Sequence, residues 1–135
     1  MLELFDGFIA AVSTETHIPF HKEADGKYSA KIEFEGGRHQ KVFVTLDQDD
    51  QGDPTINYHS VICKIKENDV ELFKDALKMN TSLTYGAIAL LNDSLIVHQT
   101  YFLRSMEPQR FLKSLSYVAA KADELEESLT AQDAD

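Results

Sequence analysis

Apolar residues recur at helical spacing near both ends of the chain and at strand spacing between them. Phe111, Leu115, Val118, Ala122, Leu125 and Leu129 follow one another at alternating steps of four and three, with Leu112 and Ala119 widening the stripe. This spacing predicts a helix over 105–129, capped by Ser105 and tolerating Pro108 in its first turn. Lys113, Lys121, Asp123, Glu124, Glu126 and Glu127 occupy the opposite side, so the helix is expected to lie as a lid on a sheet or another helix. Leu2, Phe5, Ile9 and Val12, flanked by Leu4 and Phe8, form a second stripe over the first thirteen residues, and Ser13 to Pro19 ends it.

Between the helices the period changes to two. Tyr28, Ala30, Ile32 and Phe34 alternate with Ser29, Lys31, Glu33 and Glu35, the pattern of a strand with one dry and one wet face. Gly36 and Gly37 supply the positive φ of a tight hairpin, and Val42, Val44 and Leu46 resume the alternation on a return strand from which Phe43 points the other way. The acidic loop Asp47 to Pro54 leads to a third strand, Thr55 to Ile65. Its apolar phase shifts from Ile56 and Tyr58 to Val61, Cys63 and Ile65, as a bulge or burial on both faces would require. Asn68 and Glu71 have capping-box spacing before a short helix, Asp69 to Met79, which Asn80 is expected to close in the left-handed conformation. Leu83 to Leu91 is apolar on both phases around Gly86. It reads as a central strand or one closely approached by another backbone, and Ser94 to Leu103 follows as its hairpin partner. The expected fold is α+β, one domain over residues 1–129 in the order α-β-β-β-α-β-β-α, with 130–135 a flexible acidic tail.

Composition narrows the function more than the fold. A length of 135 residues and 43% hydrophobic content suffice for a core without staples. A net charge of -10 argues against a nucleic-acid or anionic-membrane surface, because phosphate binding needs clustered Lys and Arg. The charge reads either as solubility or as attraction to basic segments of a partner. Cys63 is the single cysteine, which excludes an internal disulfide, fits a reducing compartment and reads as a buried structural thiol. The N-terminus carries Glu3 and Asp6 where a signal peptide would have Lys or Arg, and no run reaches the roughly 20 apolar residues of a membrane span. A cytoplasmic protein is expected.

Candidate chemistry is sparse. Asp47, Asp49, Gln51 and Gly52 match the start of a calcium-loop spacing, but Tyr58 stands where the bidentate Glu belongs. His17 and His21 are separated by Pro19, which breaks the helix that would aim both at a metal, and His39, His59 and His98 are isolated in sequence. No nucleophile elbow, phosphate loop or dinucleotide fingerprint is present, and Glu33 and Glu35 lie on a wet strand face. No catalytic residue, metal or cofactor is therefore expected. Phe20, Tyr28 and Phe43 are the candidates for a partner-binding patch. Val70, Phe73, Leu77 and Tyr85, on the short helix and the segment after it, are candidates for a homodimer interface. A buried polar cluster of His59, His98 and Tyr101 would instead point to an enzyme or a small-molecule binder.

The stretch LKMNTSLTYGAIALLNDSLIVHQTYFL, followed by the long helix, combines a helix ending at Asn80, a Gly-containing strand, a hairpin and a terminal amphipathic helix. With the element order, it resembles the type III secretion chaperone fold of the Tir chaperone (CesT-like) and YbjN-like proteins. The resemblance implies a cytoplasmic, homodimeric, non-enzymatic module that holds a segment of another protein, either as a secretion chaperone or in a YbjN-like regulatory or stress-related role.

Overall fold

The computed structural model describes residues 1–66 and 68–133. Its architecture is α+β, with three helices and one six-stranded antiparallel sheet. In chain order the elements are α1 (Leu2–Thr16), β1 (Phe20–Ala24), β2 (Lys27–Glu33), β3 (His39–Gln48), β4 (Pro54–Lys64), α2 (Val70–Met79), β5 (Ala87–Leu91), β6 (Ser94–Phe102) and α3 (Pro108–Asp133). The sheet order is β1-β2-β3-β4-β6-β5. Among the described residues no helix is long and apolar enough to cross a membrane.

The helices lie on one face of this sheet. Phe111, Leu115, Val118, Ala119, Ala122, Leu125 and Leu129 of the expected α3 stripe are buried and Leu112 is half-buried, and the Phe111 ring meets Phe8 of α1 at 5.3 Å and Tyr58 of β4 at 5.1 Å, both edge to face. Phe5, Ile9 and Val12 of α1 join the same core with Ala30, Ile32, Val42, Val44 and Ile56 from the strands. One buried polar pair crosses the layer: the hydroxyls of Tyr58 and Ser114 are 2.6 Å apart, so neither is left unsatisfied. Burial pushes the Tyr58 phenol above its ordinary range, although the bond to Ser114 works the other way. At the far end of the β2–β3 hairpin, Arg38 bridges Asp123 at 2.9 Å and also Glu127, tying the turn to α3. Asp123, more than Glu127, raises the guanidinium pKa further.

Several expectations need correction. The residues before Tyr28 form an additional strand, β1, so the order is α-β-β-β-β-α-β-β-α. FHKEA contains one large apolar residue and lies mostly exposed, so no alternation announces it. Asp69 caps α2, accepting from the Leu72 amide at 3.1 Å, while Asn68 sits at φ 68 outside the helix. Ser105 lies in a 3-10 turn, Leu103–Ser105, and α3 starts with Pro108 at its N-terminus, where the missing N–H costs no helical bond. The same helix continues to Asp133, beyond the expected start of a tail at 130; Ala134 and Asp135 lie outside the described residues.

The segment Leu83 to Leu91 is a strand only from Ala87, and it lies at the sheet edge. Gly86, at φ 73, is where the chain comes onto the backbone of β6: a Cβ there would run into the His98 carbonyl oxygen. Asn80 stays right-handed at φ -56 and does something the helix-capping pattern did not foresee. Its carboxamide oxygen accepts from the Ile88 amide at 2.6 Å and its nitrogen donates to the Ile88 carbonyl at 3.4 Å, so one side chain fills a place on the outer edge of β5. The expected phase change in β4 is present as an irregularity between Val61 and Cys63, after which Cys63 pairs with Leu95 on the helix side.

Candidate functional site

Alternate residues of each strand point away from the helices, and their register assembles one row across the whole sheet. His21 stands opposite Ser29, Ser29 opposite Phe43, Phe43 opposite His59, His59 opposite His98, and His98 opposite Ala87. Phe43 is half-buried because its neighbours cover it. His59 stacks on the ring at a centroid distance of 5.1 Å and an interplanar angle of 20°, and the Lys41 ammonium lies 5.0 Å from the centroid. Burial, and to a lesser degree the electrostatic influence of the facing His98, pushes the His59 pKa below its ordinary value.

The three candidate partner residues divide between the faces. Phe20 pairs with Ala30 and directs its ring toward Phe111, 6.5 Å away, on the helix side. Tyr28 donates its hydroxyl to Asp6 at 2.8 Å and packs its ring on Phe5. Burial, then the bond to Asp6, pushes that phenol up to about 12. Only Phe43 presents its ring on the open face. Tyr28 and Phe43 nevertheless border one cleft of about 330 Å³ with Glu23, Lys27, Thr45 and His59. His59 and His98 face each other across β4 and β6, whereas Tyr101 pairs with Ile56 and packs into the helix-side core, so the three do not converge on one site.

Ser29 was expected on the wet face and is on it, yet it is buried. Its hydroxyl donates to Glu23 at 2.5 Å, the main reason the Glu23 carboxyl is held below its ordinary pKa. A larger cavity of about 450 Å³ lies beside this pair, lined by Pro19, Phe20, His21, Ser29, Ala30, Lys31, His39 and Lys41. Lys31, His39 and Lys41 all fall on the alternating positions opposite the dry face, and nothing in their spacing along the chain marks them as one group. The signal was present as a period and lacked a partner strand to give it meaning.

At the opposite end, Val70, Phe73 and Leu77 recur along one face of α2. Phe73 and Leu77 border a cleft of about 220 Å³ with Ile88, Leu90 and Leu95. Leu77 and Leu90, which line it, are exposed at 67% and 55%, and Val70, on the same face of α2, at 56%, exposed apolar residues of the kind that mark contact surfaces. Tyr85 is drawn elsewhere: its ring meets Tyr117 of α3 edge to face at 5.3 Å, and the adjacent Thr84 amide donates to the Tyr117 hydroxyl.

The acidic loop behaves as a hairpin connection. The Asp49 carboxylate accepts from the Gln51 and Asp53 amides, both at 2.9 Å, and so serves its own backbone. Among the described residues no three of His, Cys, Asp and Glu are grouped so as to hold a metal ion. The chain matches no protein-family model, and no curated protein matches it either.

Proposed function

We propose that this chain is a non-enzymatic protein-binding module that works as a homodimer and holds an extended segment of a partner protein, in the manner of a secretion chaperone. The observation that carries the reading is a sheet with all its helices on one face. The other face and the outer edge of β1 remain open to a segment that adds a strand or lies across Phe43. The dimer is assigned to the exposed residues Val70, Leu77 and Leu90, with Phe73 in the cleft beside them. Because Asn80 occupies the Ile88 edge, this interface joins through side chains rather than by pairing the two β5 strands.

Light scattering at tens of micromolar protein should return twice the 15.2 kDa chain mass, and Leu77→Glu with Leu90→Glu should restore the monomer. A monomeric parent protein would remove the dimer from the reading. For the partner, pull-down from the native cytoplasm with the parent chain and with Phe43→Ser should recover one dominant protein, less of it with the variant. A YbjN-like regulatory role uses the same surfaces and differs in the partner, so an adjacent gene for a secreted effector would favour the chaperone role.

A further inference from the structure

The ladder between β1 and β2 covers only part of β2. Phe20 stands opposite Ala30, and the pairing stops there because Pro19 comes next and has no N–H to extend it. β2 continues through Lys31, Ile32 and Glu33, which pair with β3 on the inner side and have no strand on the outer side. The sheet edge therefore has a step, and the 450 Å³ cavity opens at it.

Pro19 and Phe20 supply the apolar part of that cavity, and His21, Lys31, His39 and Lys41 supply basic groups; its lining includes no carboxylate. The register explains the clustering. Lys31 and Lys41 are direct cross-strand partners, an arrangement of like charges that works against pairing. Two carboxylates border the step: Glu33 is 3.8 Å from Lys31 with both side chains well exposed, and Glu23, which accepts from Ser29, also acts electrostatically on Lys41 and His21. In a chain of net charge -10, the ionisable groups that line this cavity among the described residues are all basic.

We propose that the step binds an acidic, extended peptide segment of a partner. The segment pairs its backbone with the open edge of β2 at Lys31 to Glu33, sets carboxylates against Lys31 and Lys41, and rests an apolar side chain on Phe20. The proposal rests on the protein-binding reading and specifies its partner. The acidity of the whole chain favours basic partner segments, whereas the groups at the step favour acidic ones.

The test uses fluorescent peptides of about six residues, a usual strand length, that alternate valine with glutamate, glutamine or lysine. Fluorescence anisotropy with the full chain should show the glutamate peptide binding about tenfold or more tightly than the glutamine peptide, with affinity falling as salt rises. The lysine peptide should bind least. Lys31→Glu with Lys41→Glu should invert that order, and Lys31→Gln with Lys41→Gln should abolish the preference; an unchanged melting temperature in either pair verifies the fold. N-methylation of alternate peptide amides should remove binding, since the contact is made through backbone pairing. Equal binding of all three peptides would overturn the charge assignment and leave the protein-binding reading standing. If none binds and a photocrosslinker at position 31 captures no protein from the native cytoplasm, both fall. A glutamate peptide that dissociates the homodimer would assign the step to a second copy of the chain and overturn the proposal.

Discussion

The two faces of the sheet are made by the same strands, residue by residue in alternation, and they are built to different rules. On the helix side Ala30, Val42, Val44, Ile56 and Tyr58 are buried against α1 and α3, and the polar pair Tyr58–Ser114 is satisfied internally. On the other side Lys31 faces Lys41, His59 faces His98, and the Phe43 ring is covered only by its neighbours. The first arrangement lowers the free energy of the isolated chain. The second leaves like groups opposed and an aromatic ring partly wet, so stability is concentrated on the face that the helices cover.

Breaking the covered face should have the largest effect. Leu115→Ala empties a fully buried position and should destabilise by about 2 to 5 kcal/mol, visible as a lower denaturant midpoint with an unchanged slope. Gly86→Ala forces a side chain onto positive φ against the His98 carbonyl and should cost about 1 to 3 kcal/mol, read from the same midpoint. Tyr58→Phe removes one hydroxyl from a buried pair and leaves Ser114 without its partner, a loss of about 1 to 2 kcal/mol. Its denaturation should be compared with Tyr58→Phe combined with Ser114→Ala, which should recover part of that loss.

On the open face the same measurements should move little. Phe43→Ser should change stability by less than about 1 kcal/mol while weakening recovery of the partner protein, so a large fall in midpoint would show that Phe43 belongs to the core. The smallest effect is pH-dependent. The folded state holds the His59 pKa below its ordinary value of 6.5, so the unfolded chain takes up a proton first as pH falls. The neutral imidazole therefore contributes its full stability above about pH 6.5, and that contribution is lost as pH drops from there through the lowered folded pKa. His59→Gln should flatten this part of the pH profile, and an identical profile in the variant would mean the residue titrates as it does in the unfolded chain.

What the sequence determined by itself is whatever a local period or a local conformational need can specify. The stripe from Phe111 to Leu129 is the buried face of α3, the alternation from Tyr28 to Ile32 is the helix side of β2, and the glycines at 36 and 37 turn the hairpin at φ 81 and 79. The phase change in β4 announced its irregularity. Tertiary structure decided the rest, because a residue's neighbour across a ladder depends on register between segments distant in the chain. FHKEA is a strand because β2 offers it an edge, and the apolar run ending at Leu91 lies outermost because β6 comes between it and β4. Asn80 is an edge plug because Ile88 arrives beside it. Lys31 meets Lys41, Phe43 meets His59, and His59 meets His98, only once the strands are aligned; no spacing along the chain encodes those meetings.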